Sequence, residues 1–93
     1  MNETTDVTDN AAHSRFELTV DGQLAFADYR MAGEVVTIDY VETPVALRGG
    51  GVAARLMAGA LAIIRARGQK VKPVCSYAAA YIQRHPEEQD LLA

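Results

Sequence analysis

The sequence predicts an α/β (α+β) fold: an antiparallel meander of about three strands, a long helix, a strand running parallel to the sheet and a short C-terminal helix. Three observations carry this. Apolar residues alternate with period two from Phe16 to Val41, interrupted by glycine turns. The period then changes to that of a helix from Val52 onward, and a second β-branched run follows Gly68. A strand, a helix and a further strand in so short a chain imply a right-handed parallel crossover.

The elements follow in order. Residues Met1 to Ser14 are polar and without apolar period, so a flexible tail is expected there, with a single compact domain over 15–93. Phe16, Leu18 and Val20 point one way before Asp21-Gly22 marks a hairpin turn. In the return strand Leu24 and Phe26 share one face, and Ala25, Ala27 and Tyr29 the other. Ala32-Gly33 makes a second turn into Val35–Val41, a run rich in β-branched residues and tyrosine. The helix spans about Val52 to Arg67, with Ala53, Leu56, Met57, Ala60, Leu61 and Ile64 as its buried stripe. Gly68 is a natural stop, and Arg65 and Arg67 suit the negative end of the helix dipole. Val71–Cys75 is a short strand, and a last helix, roughly Tyr77 to Arg84, ends at His85-Pro86.

Composition narrows the partners. A chain of 93 residues builds one small core. Its net charge of −3 argues against nucleic acid, whose readers carry a basic face. The longest apolar-rich run, Val52 to Ile64, is interrupted by Arg55 and too short to cross a membrane. The acidic start, Met1-Asn2-Glu3, is unlike a secretory leader, so cytoplasmic residence is expected. One cysteine leaves no internal disulfide and no multi-thiolate metal site, so no metal is expected.

The chemistry concentrates at Arg48-Gly49-Gly50-Gly51-Val52-Ala53. The first turn of a helix has amides with no partner inside the helix, and no Ser, Thr, Asp or Asn stands here to cap them. Bare amides, the positive end of the dipole and a flanking arginine describe an anion site, most naturally for phosphate. The bland rival is a simple flexible helix start. Gly49-x-Gly51-x-x-Ala54 formally meets the dinucleotide fingerprint, but a proline-containing loop precedes it and no acidic residue follows about 20 positions on. The nucleotide-triphosphate loop fails as well, because no Lys-Ser or Lys-Thr follows the glycines. What survives is Arg48-x-x-Gly51-x-Ala53 at a strand-to-helix passage.

That spacing resembles the pyrophosphate-binding signature of GCN5-related N-acetyltransferases, and the likeness extends to the small stand-alone members of that superfamily. It runs through Glu42-Thr43-Pro44, Ala46-Leu47-Arg48-Gly49-Gly50-Gly51, Pro73-Val74-Cys75-Ser76-Tyr77, Tyr81-Ile82-Gln83-Arg84-His85-Pro86 and Asp90-Leu91. The short Arg/Gly motif is weak alone; the ordered series over about 50 residues is specific. The resemblance covers Phe16 to the C-terminus. It implies that the third strand and the Val71–Cys75 strand splay apart and that acetyl-CoA binds in the opening. The pyrophosphate would lie on Arg48, Gly49, Gly50, Gly51, Val52 and Ala53, with Val41 and Thr43 supplying backbone groups near the thioester. One position departs: a histidine common two residues before the glutamate is Tyr40 here.

Acetyl transfer to an amine needs a base, oxyanion donors and an acid for the leaving thiolate. Glu42 is the nearest carboxylate for the base, and Cys75, Tyr77 or Tyr81 for the acid. Cys75 has a second open role as a covalent acyl carrier, because a thiol at a helix start favours its thiolate. A buried structural thiol is the bland alternative. Tyr77 and Tyr81, four apart on a helix, also have the option of packing on each other. Asp28 and Asp39 read as solvent-facing, and His85 as a helix C-terminal cap. Arg65, Arg67, Lys70 and Lys72 form a basic cluster that is either a solvated edge or a phosphate contact. The expected function is acetyl-CoA-dependent N-acetyl transfer to an unidentified amine; the second reading is a non-catalytic module that binds CoA or acetyl-CoA. The acceptor and the oligomeric state are left open.

Overall fold

In the computed structural model, which describes residues 6–93, five strands lie side by side in the order in which they occur in the chain. They are β1 (Thr8–Asn10), β2 (Arg15–Val20), β3 (Gln23–Ala32), β4 (Val35–Glu42) and β5 (Lys70–Pro73). The first four pair antiparallel, and β5 pairs parallel to β4. Helix α1 (Val52–Ala66) makes the crossover between β4 and β5, and α2 (Ser76–Arg84) follows β5. Among the described residues no helix is long and apolar enough to cross a membrane.

Local chemistry places these elements as expected. Asp21 and Gly22 both have positive φ, the geometry that lets a two-residue loop follow the twist of β2 and β3. At its far end α1 closes on Gly68: the Gly68 amide bonds to Arg65 and the Gln69 amide to Ile64, a Schellman pair that satisfies two carbonyls.

One face of the sheet and one stripe of α1 form the core. Phe16, Leu18, Ala25, Ala27, Val36 and Ile38 are buried, as are Val52, Leu56, Met57, Ala60, Leu61 and Ile64 of the helix. Each large side chain among them contributes about 1.5–3 kcal/mol by leaving water. Small Ala25 and Ala27, rather than Leu24 and Phe26, face inward, and α1 packs against their strand. Val52 takes the first buried place in the stripe, and Ala53 is only partly covered.

The expected tail needs correction. Its first five residues lie outside the described ones, but Thr8–Asn10 add a strand to β2, and Val7 is buried. Polar side chains tie this strand down, which is why no apolar period announces it. Asp9, nearly buried, accepts from Tyr29 Oη at 2.6 Å and from Arg67 at 2.7 Å. Asn10 donates to Glu17 at 3.0 Å, and Arg55 reaches Asp6 at 3.2 Å.

The basic cluster also proves to be a set of clasps. Arg65 pairs with Asp90 and Glu88, and Lys70 Nζ donates to the Asp90 carbonyl at 2.8 Å. These bonds fasten the C-terminal turn Pro86–Leu91, beyond which Leu92 bridges to Val71. Arg67 holds β1 in the same way, so Arg65, Arg67 and Lys70 serve the chain's own ends, while Lys72 stays exposed.

Candidate functional site

The parallel pairing stops early, and that opens the site. Val35 to Ile38 pair with Lys70 to Pro73, whereas β4 continues to Glu42. The Val74 and Cys75 amides both donate to the Ile38 carbonyl at 3.0 Å, and the chain then turns away into α2. From Asp39 to Glu42 the edge of β4 that would face β5 has no strand beside it among the described residues. An unpaired edge of this kind can accept an extended, peptide-like partner as a pseudo-strand.

A hollow of about 240 Å³ lies where β4 hands over to α1. Its wall includes Thr43, Arg48, Gly49, Gly51, Val52 and Ala53, with Tyr77 of α2 on another side. Gly51 is the N-cap residue, left-handed at φ 78, and no side chain caps the helix. Glycine is the residue that adopts this conformation without strain, and its bare backbone leaves room above the amides. A Cβ built on Gly49 or Gly51 would meet nothing within 4 Å, so both glycines border open space. The first helical bond is from Arg55 to the Gly51 carbonyl, at 3.0 Å. Among the described residues the amides of Gly51, Val52, Ala53 and Ala54 have no backbone acceptor. The Gly50 amide differs from expectation: it donates to the Leu47 carbonyl at 3.3 Å and is used by the turn. Uncapped amides over an open hollow fit a diphosphate.

Arg48 turns back instead of lying over the glycines. Its Nε donates to the Thr43 carbonyl at 3.2 Å, and its terminal nitrogen is 3.8 Å from Glu42 Oε2. More than half of the side chain is exposed, so it is free to swing to an anion. The other Glu42 oxygen accepts the phenolic hydrogen of Tyr40. That bond, reinforced by the negative charge of Glu42, pushes the Tyr40 phenol above its ordinary range. Tyr40 is therefore a neutral donor throughout the physiological range.

The remaining expected residues are spread around the opening. Cys75 is half-buried at the N-cap of α2, its backbone anchored to β4 at the place where the strands part. Val41 faces the core beside Ala27, so only its backbone borders the open edge. Tyr77 stands in the wall of the hollow, and burial raises its phenol. Tyr81 is 8% exposed and stacks on His85 with ring centroids 3.9 Å apart. His85 caps α2 as expected, its Nδ1 donating to the Tyr81 carbonyl at 2.7 Å. The two tyrosines thus differ in place: Tyr77 borders the hollow and Tyr81 belongs to the core.

A four-stranded antiparallel meander, a crossover helix with bare glycine amides at its start, and a parallel strand that parts from the sheet beside them define a class of acyl-transfer folds. Comparison with known proteins agrees. A model of the GCN5-related N-acetyl-transferase family matches residues 15–91. The chain belongs to that family, and is an acetyltransferase by that membership. Its fold is similar to the solution structure of a GCN5-like protein from Staphylococcus aureus, with a TM-score of 0.69 at 19% identity, over 100% of this chain and 91% of that one. No curated protein matches the chain.

Proposed function

We propose that the protein transfers an acetyl group from acetyl-CoA to an amine at the opening between β4 and β5. One observation carries this reading: the open edge of β4 ends beside Thr43, which shares the wall of one hollow with the uncapped glycine start of α1. A thioester arm and a diphosphate would then be met side by side. The amides of Gly51, Val52 and Ala53, with the Gly49 backbone beside them, are the diphosphate contacts, and Arg48 swings from Glu42 to the same charge. The pantetheine arm, itself an amide chain, pairs with the Asp39–Thr43 edge, where Val41 and Thr43 offer backbone groups.

The protein's own residues divide the chemistry. Backbone amides along the open edge stabilise the oxyanion. Glu42 takes the proton from the amine, held in position by the Tyr40 hydroxyl that donates to it. Cys75, at the place where the strands part, is the candidate to protonate the leaving thiolate, with Tyr81 held in the core behind it. Cytoplasmic residence suits the donor and the lone free thiol.

Native mass spectrometry of the protein with acetyl-CoA, followed by CoA release in the presence of an amine panel, tests the proposal. A one-to-one complex and amine-dependent release are expected. A complex without release above the uncatalysed rate would leave only a CoA-binding module, and no complex would overturn the reading.

A further inference from the structure

A slip in the register of β4 changes which side chains surround the opening. Asp28 pairs with Tyr40, but the next residue, Tyr29, pairs with Ile38, so Asp39 is an extra residue bulged out of the strand. Strict alternation would have put Tyr40 on the core face with Ile38. The bulge instead places Tyr40 and Glu42 on the outer face, opposite α1, beside their partners Asp28 and Phe26.

The result is a checkerboard of two aromatic rings and two carboxylates at the mouth of the splay. The Phe26 and Tyr40 rings are 6.2 Å apart, and Tyr40 is half exposed. Arg15 already lies over Phe26, its guanidinium carbon 4.8 Å from the ring centroid, and is itself paired with Glu17 at 2.6 Å. Arg30 is bound to Asp39. Asp28 differs: it lies between Tyr40 and Arg15 across the sheet, but Arg15 is engaged by Glu17, and among the described residues no cation comes within ion-pair distance of Asp28.

We infer that this outer-face patch, Phe26, Asp28, Tyr40 and Glu42, is the acceptor subsite, and that it takes a primary ammonium carried on a flat apolar body without a neighbouring carboxylate. The inference deepens the acetyl-transfer reading and rests on it. The exposed Tyr40 ring holds the apolar body and attracts the cation, the Phe26 ring being covered by Arg15, while Asp28 supplies the charge that the patch lacks a partner for. A carboxylate next to the amine would meet Asp28 and Glu42 and be repelled. The ammonium first loses one proton to Glu42, which passes it to water. The neutral nitrogen then attacks the thioester carbon: the C–N bond forms, the C–S bond breaks, and the second proton goes to the leaving sulfur. Ammonium and thioester thus give amide, free thiol and one proton.

The test is a titration of isotope-labelled protein with phenethylamine, using phenylalanine as the carboxylate-bearing counterpart, in the wild type and in Asp28→Asn. Resonance shifts at Phe26, Asp28 and Tyr40 are expected, with affinity about 10-fold weaker for phenylalanine and about 10-fold weaker in the variant. The KM for phenethylamine should rise by a similar factor in Asp28→Asn while the affinity for acetyl-CoA, read by calorimetry, stays the same. Shifts confined to other residues, or equal affinity for the two amines, would overturn the subsite. Loss of acetyl-CoA binding with these shifts intact would overturn the donor assignment and leave the amine site standing.

Discussion

Tyr40 donates its phenolic hydrogen to Glu42 two residues further along the same strand, while the other oxygen of Glu42 faces Arg48 at 3.8 Å. The carboxylate therefore links the outer face of the sheet to the glycine start of α1. Where the relatives it resembles commonly carry a histidine, this chain has a neutral donor aimed at its own candidate base.

Tyr40→Phe keeps the ring and removes the bond. If the hydroxyl orients Glu42, kcat should fall about 10-fold with acetyl-CoA affinity unchanged. Steady-state kinetics beside calorimetry measures both. Unaltered kcat would mean that the hydroxyl is only a surface contact.

Gly51→Asp should abolish acetyl-CoA binding, by placing a carboxylate over the uncapped amides proposed to hold the diphosphate. Any side chain at φ 78 also strains the backbone by about 1–2 kcal/mol, so a neutral control is needed. Gly51→Asn shares the conformation and lacks the charge. Asp is expected to bind at least 10-fold more weakly than Asn, in calorimetry of the two folded variants. Equal affinities would remove the phosphate assignment.

Cys75 is separable into its two chemical roles by substitution. Proton donation predicts that Cys75→Ser retains measurable turnover and Cys75→Ala loses more. A covalent carrier predicts an acetyl adduct on Cys75 that survives denaturation and is discharged by an amine. Intact-mass measurement before and after the addition of amine decides between them.

The Asp9–Tyr29 contact should give alkaline stability a distinct shape. Burial first, and the bond to Asp9 second, push the Tyr29 phenol up to about 12 from an unfolded value of 10.0. A phenol raised on folding stabilises the native state fully below the unfolded value. That stabilisation is lost as pH rises through the folded one, so the window is pH 10 to 12. Denaturant midpoints should fall across that interval in the wild type and less steeply in Tyr29→Phe. Parallel profiles would show that another group governs alkaline unfolding.

Much of this was legible in the chain because local chemistry carried it. Asp21-Gly22 demanded a tight hairpin, the helical period of Leu56, Ala60 and Ile64 demanded a buried stripe, and Gly51 with no capping residue left bare amides at a helix start. The order of strand, helix and strand then fixed a parallel crossover. Short-range sterics and periodicity need no distant partner, so the fold class and the uncapped glycine start of α1 could be read directly.

Two features were settled only when distant segments met. The first strand has no apolar rhythm; Asp9 finds Tyr29 and Arg67 only once β3 and α1 are in place, and those bonds order a segment that reads as a tail. The outer-face patch depends on one extra residue, Asp39, against β3. Sequence alternation counts residues within a strand and cannot see a register slip between strands. It therefore cannot say which face Tyr40 takes, although it does read Asp28 as solvent-facing, and Asp28 lies on the outer face. Pairing energy across the sheet decided that register, and with it which side chains stand at the opening.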